Sequence, residues 1–182
     1  MASSEETALP EGAVESFSGR VGRVVGSGGS VPGASPELPG RGLRVGLACA
    51  RFNGGITARL LEGALQALAE SGVDRQDVTV AWTPGAFELP LAAQALSPAV
   101  DAVVCLGAVI RGETGHYDFV AGECARGIQR VQLETGIPVA FGVLTTDTVD
   151  QALARSGSDA SNKGREAAAT AVEMSRLVRS LA

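Results

Sequence analysis

Four short apolar segments, separated by stretches with helical spacing, constrain the fold of this chain more than any other feature. They are "LRVGLACA" (43–50), "VTVAW" (78–82), "DAVVCLGAVI" (101–110) and "IPVAFGVLTT" (137–146). The second is a β-branched run that ends at Thr83-Pro84-Gly85. The third is apolar throughout, as expected for a strand in a sheet that is covered on both faces. All four segments are therefore predicted to be buried strands.

The segments between these strands predict helices. Residues 56–72 place Leu61, Leu65 and Leu68 at helical spacing, with Gly72 as a stop. Residues 86–96 predict a helix with an early proline, where proline is tolerated. Further helices are predicted on Val120, Cys124, Ile128 and Val131, around "VDQALARSG", and from about Lys163, with Val172, Leu177 and Leu181 near one face. This alternation predicts a flavodoxin-like three-layer α/β/α sandwich with a four-stranded parallel sheet.

Residues 1 to about 40 differ from the rest of the chain. The stretch "GRVGRVVGSGGSVPGASPELPG" is rich in Gly, Ser and Pro and has no lasting helical or strand period. It predicts a flexible extension over 1–40, followed by one domain over 41–182. An edge strand at "VGRVV" (21–25) is the alternative. The early residues are acidic rather than arginine-rich, which disfavours an organelle transit peptide.

Composition excludes several classes of function. The net charge is −5, which gives nucleic-acid binding no electrostatic support. No apolar stretch is long enough for a membrane span, and the N-terminus lacks a signal-peptide pattern, so the cytoplasm is the expected location. The three cysteines (Cys49, Cys105, Cys124) have no CxxC pairing, and there is one histidine. Free thiols in a reducing compartment and no metal site are therefore expected.

The carboxyl ends of the predicted strands locate the site, because ligands of open parallel sheets bind there. At one of these ends, "RGETGH" (111–116) joins a buried strand to a helix. Free N–H groups and the helix dipole favour an anion at such a turn, where the Thr114 hydroxyl can donate to a phosphate and Glu113 contributes only its amide. The alternative is an ordinary turn with Thr114 as a helix cap.

His116, the only histidine, lies within one helical turn of that anion turn. Imidazole exchanges protons near neutral pH, so His116 is a candidate acid–base residue, with capping or packing as the alternative. Phe52, in "ARFNGG" (50–55), is a candidate for stacking on a planar heterocycle, or else a hydrophobic plug. Asn53 can hydrogen-bond sugar-like hydroxyls.

Two other loops add weaker signals. "TPGAFE" (83–88) offers Gly85 and Ala86 for close backbone contact, and Glu88 for a ligand or for the helix dipole. Arg155 and Lys163 supply positive charge to an anion or are simply solvated. Together these features suit a phosphorylated small molecule that meets a planar, hydroxylated one. No GxGxxG joins the first strand to its helix, which argues against a dinucleotide.

From about residue 42 to the end, the chain closely resembles the lumazine synthase family. The matching segments, in family order, are "RFN" (51–53), "PGAFELP" (84–90), "LGAVIRGETGHYDFV" (106–120), "FGVLTTD" (141–147), "ALARSG" (152–157) and "NKG" (162–164). The resemblance implies condensation of 5-amino-6-(D-ribitylamino)uracil with 3,4-dihydroxy-2-butanone 4-phosphate, without a cofactor. The product would be 6,7-dimethyl-8-ribityllumazine, in riboflavin biosynthesis.

The resemblance also implies residue roles. Phe52 would stack on the pyrimidine, Phe141 would close the ring pocket, and His116 would transfer protons. Arg155 would pair with the phosphate, and in this family it and Phe141 reach the site from a neighbouring subunit. The remaining substrate-binding residues would contact the ribitylamino-uracil (Ala86, Phe87, Glu88), line the same pocket (Ala108, Val109, Ile110) or hold the phosphate (Glu113, Thr114).

The family forms pentamers, and in some members twelve pentamers form an icosahedral shell. The loop "SGSDASNKG" (156–164) is short, which permits a 60-mer here, whereas Pro32, Pro36 and Pro39 disfavour an N-terminal strand paired with a neighbour. A shell-forming or flavin-binding homologue without catalysis is one alternative. Others are a related riboflavin synthase and another flavodoxin-like phospho-sugar enzyme. The combination of "PGAFELP" with "RGETGH" favours lumazine synthesis.

Overall fold

The computed structural model describes residues 39–182. All but the last two positions of the predicted extension over 1–40 lie outside the described residues. Its possible strand at 21–25 and the prolines at 32 and 36 lie wholly outside them. The division of the chain near residue 40 therefore stays a prediction. No helix within 39–182 combines the length and apolarity that a membrane span requires.

The described residues form a four-stranded parallel sheet. Its strands are β1 (Val45–Ala50), β2 (Val78–Thr83), β3 (Ala102–Ile110) and β4 (Val139–Thr146). They lie in the order β2-β1-β3-β4, and every neighbouring pair is parallel. All six residues of β1 and eight of the nine in β3 are buried, because these two strands are central and covered on both faces. The predicted fold class is confirmed.

Five α-helices connect or follow these strands within the described residues. They are α1 (Gly54–Glu70), α2 (Leu89–Leu96), α3 (His116–Thr135), α4 (Val149–Ala154) and α5 (Lys163–Leu181). The helix predicted over 86–96 is divided into a 3₁₀ turn, Ala86–Glu88, and α2. Pro90 lies in the first turn of α2, where its missing N–H leaves no hydrogen bond unmade.

The helices cover the two faces of the sheet and enclose two separate hydrophobic cores. One core joins α1 and α5 to one face, and the other joins α2 and α3 to the opposite face. Helices α1 and α5 approach closely because Gly164 lies against the backbone of Leu60, where a Cβ would overlap the Leu60 carbonyl. This close approach explains which side chains of these helices are buried.

Small side chains form most of the buried faces of α1 and α5. On α1 the buried face includes Leu60, Ala64, Ala67 and Leu68, whereas Leu65, which belonged to the predicted series, is 39% exposed. On α5, alanines and Val172 are buried, and Leu181 is 68% exposed. Leucine spacing alone therefore placed the apolar face imperfectly, since the close helix pair selects alanine and glycine.

Candidate active site

A cleft of about 370 Å³ opens at the carboxyl ends of β1 and β3. The chain leaves β1 for β2 on one side and returns to β3 on the other, so this is the topological switch point where ligands of such sheets bind. Its walls come from the residues that follow β1, β2 and β3 and from the first turns of α3. The lining residues are Phe52, Pro84, Gly85, Ala86, Phe87, Ala108, Val109, Ile110, Gly112, Thr114, His116, Tyr117 and Val120.

Backbone hydrogen bonds beyond the end of β1 fix Phe52 at the mouth of the cleft. The Arg51 N–H donates to Thr83 O at 2.9 Å, and the Phe52 N–H donates to Pro84 O at 3.1 Å. Asn53 then turns the chain with a φ of 59°, and its Nδ2 donates to Ala108 O at 2.9 Å. The Phe52 ring is 71% exposed, so within one chain it is not a hydrophobic plug. An exposed, fixed ring is suited to stacking.

The floor of the cleft is apolar and well packed. Ala86, Ala108 and Val109 are all at most 9% exposed, whereas Phe87 is 56% exposed at the rim. Glu88 is not among the lining residues, and its Oε2 accepts a hydrogen bond from the Gly85 N–H at 3.0 Å. Glu88 therefore holds the shape of the 84–88 turn.

The turn between β3 and α3 carries the predicted anion site. Helix α3 begins at His116, and its cap residue is Gly115, which has no side chain to accept from the first N–H groups. Thr114 Oγ1 accepts from the His116 N–H at a long 3.4 Å. The Thr114 side chain is thus only a weak cap, and both Thr114 and His116 line the cleft in exposed positions. Glu113 is exposed and lies outside the lining residues.

Arg111 fastens this turn to the end of β4, and sequence reasoning assigned it no role. Its guanidinium bonds to Asp118 at 3.1 Å and Asp147 at 3.0 Å, and lies 4.0 Å from the ring centre of Tyr117. Hydrogen bonds to Asp118 and then Asp147 raise the Arg111 pKa above its ordinary value. The sequence pattern that could have revealed this network is an arginine directly after β3, with Asp118 following the same strand and Asp147 following β4.

Phe141 and Arg155 do not line this cleft. They lie together in a second hollow of about 310 Å³ beside β4 and α5, along with Lys163. Phe141 is 44% exposed, and Arg155 Nη1 donates to Gln151 O at 3.1 Å. Lys163 Nζ lies 2.7 Å from Glu166. The structure therefore divides the predicted substrate-binding residues between two hollows of one chain.

None of the three cysteines lines the cleft or the second hollow. All three are free and buried. Burial raises the pKa of Cys49 and of Cys124 to about 12, and it raises that of Cys105 as well. These thiols are protonated at neutral pH and are poor nucleophiles. Within residues 39–182 no group of three or more His, Cys, Asp or Glu side chains is placed to hold a metal ion.

Comparison with known families identifies the family to which this chain belongs. A family model described as 6,7-dimethyl-8-ribityllumazine synthase matches residues 42–179. The chain belongs to the 6,7-dimethyl-8-ribityllumazine synthase family. The match includes every residue that lines the cleft or the second hollow.

Membership of the 6,7-dimethyl-8-ribityllumazine synthase family gives the chain its function. The chain is an enzyme, a transferase that forms 6,7-dimethyl-8-ribityllumazine in riboflavin biosynthesis, and its substrates are small molecules. The resemblance seen in the sequence is thereby confirmed. The roles of the individual site residues stay predictions, and the geometry above is the basis for assigning them.

Proposed function

We propose that lumazine formation takes place in the cleft at β1 and β3, with His116 as the proton-transfer residue, after a second copy of the chain completes the site. The observation that carries this proposal is the division of the predicted residues between two hollows. Phe52, Thr114 and His116 line one hollow, and Phe141 and Arg155 line the other. A neighbouring copy that brings its second hollow to this cleft supplies the missing ring and charge.

In this arrangement the uracil stacks on Phe52, and the neighbour's Phe141 covers its other side. The buried Ala86 and the Ala108–Ile110 segment offer backbone groups along the apolar floor, and Phe87 packs at the rim. Glu88 contributes chiefly by holding the 84–88 turn, since its carboxylate is engaged by the Gly85 N–H. The planar substrate is thereby oriented for reaction.

The phosphate of the second substrate binds at the start of α3. The phosphate accepts hydrogen bonds from the N–H groups of Glu113 and Thr114 and from the Thr114 hydroxyl. These groups lie next to the N-terminus of α3, whose dipole favours an anion. Arg155 of the neighbouring copy adds a full positive charge to the same group, and guanidinium suits a phosphate. The butanone carbons are then held beside His116, the first residue of α3.

The chemistry requires proton transfers at this position. The 5-amino group of the uracil attacks the ketone to give a carbinolamine, which loses water to form an imine. Loss of the proton on C3 expels phosphate from C4 and leaves an enol, which tautomerises to a new ketone at C3. The ribitylamino nitrogen attacks this ketone, and loss of a second water closes the ring. His116 accepts a proton from the attacking nitrogen and returns one to the departing hydroxyl. Orientation of two substrates in one cleft supplies much of the acceleration, up to roughly 7–11 kcal/mol. One imidazole therefore suffices.

The assembly we propose is a pentamer, and twelve pentamers form a 60-mer. Three large exposed apolar side chains on α2 and α3 support extensive contacts between copies: Leu91 is 70% exposed, Phe119 71% and Leu133 73%. Only three of the twenty residues of α3 are buried in one chain. The short loop at 156–164 permits the closed shell. Three free thiols support a reducing compartment, so we place the reaction in the cytoplasm.

Subunit complementation tests the shared site. His116→Ala and Arg155→Ala chains are each expected to be impaired. If the site is shared, mixing them restores wild-type sites wherever an Arg155→Ala chain supplies His116 and its neighbour supplies Arg155. Random mixing makes roughly a quarter of the interfaces wild type. The matched control mixes His116→Ala chains with the His116→Ala/Arg155→Ala double variant, which regenerates no intact site.

The readout is the rate at which lumazine absorbance and fluorescence appear after co-refolding or co-expression. Recovery to about a quarter of the wild-type rate, with none in the control, supports a site built from two copies. A rate equal to the average of the two parent variants would instead show that each chain holds its own complete site.

A further inference from the structure

Asn162 has a buried side chain whose hydrogen-bonding capacity is fully used. The residue is 2% exposed. Its Nδ2 donates to Arg59 O at 3.0 Å and to Gly157 O at 2.7 Å. Its Oδ1 accepts from the Gly164 N–H at 2.9 Å and the Arg165 N–H at 3.1 Å. An amide offers two donors and two lone pairs, so nothing remains unused.

The two ends of this amide perform different tasks. The oxygen caps α5, a task that aspartate or serine performs equally well. The nitrogen joins the 156–162 loop to α1, a segment about a hundred residues away in sequence. Capping a helix does not require the hydrogen bond from the amide nitrogen to α1. The donor end of Asn162 therefore indicates a function beyond helix initiation.

The loop that Asn162 holds connects directly to Arg155. The Lys163 N–H donates to Arg155 O at 2.9 Å, which closes the loop at its base. Ser156, next to Arg155, is buried, and its hydroxyl donates to Leu153 O at 3.4 Å. The backbone of Arg155 is thus fixed to the start of α5, and the start of α5 is fixed to α1 by Asn162.

We infer that Asn162 is a positioning residue: its amide nitrogen sets the place from which Arg155 is presented to the phosphate in the neighbouring copy. The inference rests on the proposed function, because it requires Arg155 to bind that phosphate. Gly63 supports it independently. A Cβ at Gly63 would overlap the Asn162 amide, so this amide fits against α1 only because position 63 has no side chain.

Asn162→Asp separates the two tasks of the side chain. Aspartate keeps the oxygen that caps α5 and replaces the nitrogen by an oxygen that faces the carbonyls of Arg59 and Gly157. We expect the KM for 3,4-dihydroxy-2-butanone 4-phosphate to rise about tenfold, as for a weakened hydrogen bond to a charged group. The KM for the uracil substrate and kcat should change little. A residue that serves only as a cap would show no change in either KM.

Two further variants keep the test decisive. Asp74→Asn makes the reverse exchange, aspartate to asparagine, at the cap of the 75–77 turn, which lines neither hollow. It should leave both KM values unchanged. Gly63→Ala displaces the Asn162 amide from the side of α1 and should give the same selective rise in KM. It supplies the readout if Asn162→Asp does not assemble. If neither variant assembles, Asn162 is a folding determinant and the inference is rejected.

A double-mutant cycle with Arg155→Ala distinguishes failure of this inference from failure of the proposed function. If Asn162 acts through Arg155, Asn162→Asp adds little to the KM of the Arg155→Ala enzyme. An equal, multiplicative rise in both backgrounds would overturn the inference and leave Arg155 in its proposed role. An unchanged KM in Arg155→Ala itself would refute the proposed role of Arg155.

Discussion

At the scale of single residues, Asn53 shows how one side chain positions others. It is the only non-glycine residue within 39–182 with a positive φ, 59°. Asparagine tolerates this conformation better than most residues, and its amide also bonds to Ala108 O across the ends of β1 and β3. The exposed ring of Phe52 is held at the mouth of the cleft as a result.

His116 is the residue whose replacement tests the chemistry most directly. We expect His116→Ala to lower kcat by ~10²–10⁴-fold, since a well-placed acid–base group contributes that much. Measurable activity should persist, because the cleft still orients both substrates. Steady-state rates of lumazine formation, with the assembly state checked in parallel, measure this. Complete loss of activity in a correctly assembled variant with intact substrate binding would contradict the prediction, and so would an unchanged kcat.

At the scale of elements, a carboxylate joins three segments at the end of the sheet opposite the cleft. Asp101, just before β3, accepts from the Arg44 N–H at 2.8 Å and lies 3.0 Å from Arg179 at the end of α5. Burial alone would raise the Asp101 pKa, but hydrogen bonds from Arg44 and the charges of Arg179 and Arg44 lower it below its usual value. The ionised form is therefore stabilised by folding.

Replacement of Asp101 should have an effect that depends on pH. At neutral pH, Asp101→Asn should lower the free energy of unfolding by about 1–2 kcal/mol, the scale of a charge-assisted hydrogen bond. A lowered folded-state pKa stabilises above the unfolded value, about 3.9, and this contribution is lost as pH falls through the folded-state pKa. Denaturant unfolding of both proteins, at equal concentration, should show the difference shrinking in acid. A difference independent of pH would refute the ionic origin, and kcat at neutral pH serves as the control.

At the scale of the whole molecule, exposure rather than burial is the informative property. Strand β2 lies at an edge of the sheet with Val80 40% and Trp82 44% exposed, and α2 and α3 expose large apolar side chains. Apolar surface spread over several elements is typical of a chain that buries it against other copies. The hollow beside β4, with Phe141 and Arg155, lies apart from the main cleft, as the proposed shared site requires.

Particle mass tests the proposed assembly. The chain has a mass of 18.4 kDa, so a pentamer is about 92 kDa and a 60-mer about 1.1 MDa. We expect native mass spectrometry of the active enzyme to show the larger particle, and negative-stain images to show closed shells. Particles of only about 92 kDa would refute the 60-mer and support the pentamer. Fully active monomers would refute both the pentamer and the shared site.

Local patterns determined a large part of this protein. Apolar runs and helical spacing located all four described strands and the helices, because each element depends on neighbours only a few residues away. The strand-end rule brought Phe52, Thr114 and His116 to one edge of the sheet, where the structure places them in one cleft. The helix start at His116 was also located, and the anion site at this turn stays a prediction.

Tertiary structure decided what depends on distant contacts. The strand order and the close α1–α5 pair fix which faces are buried, so Leu68 and Val172 are buried as predicted beside several alanines, whereas Leu65 and Leu181 are exposed. The ion pairs of Arg111 and the hydrogen bonds of Asn162 join segments up to about a hundred residues apart, which no local pattern encodes. Glu88 has the expected position, but packing turned its carboxylate towards Gly85. Sequence specified the elements and their chemistry; packing, which depends on complementary shapes across the chain, specified their partners.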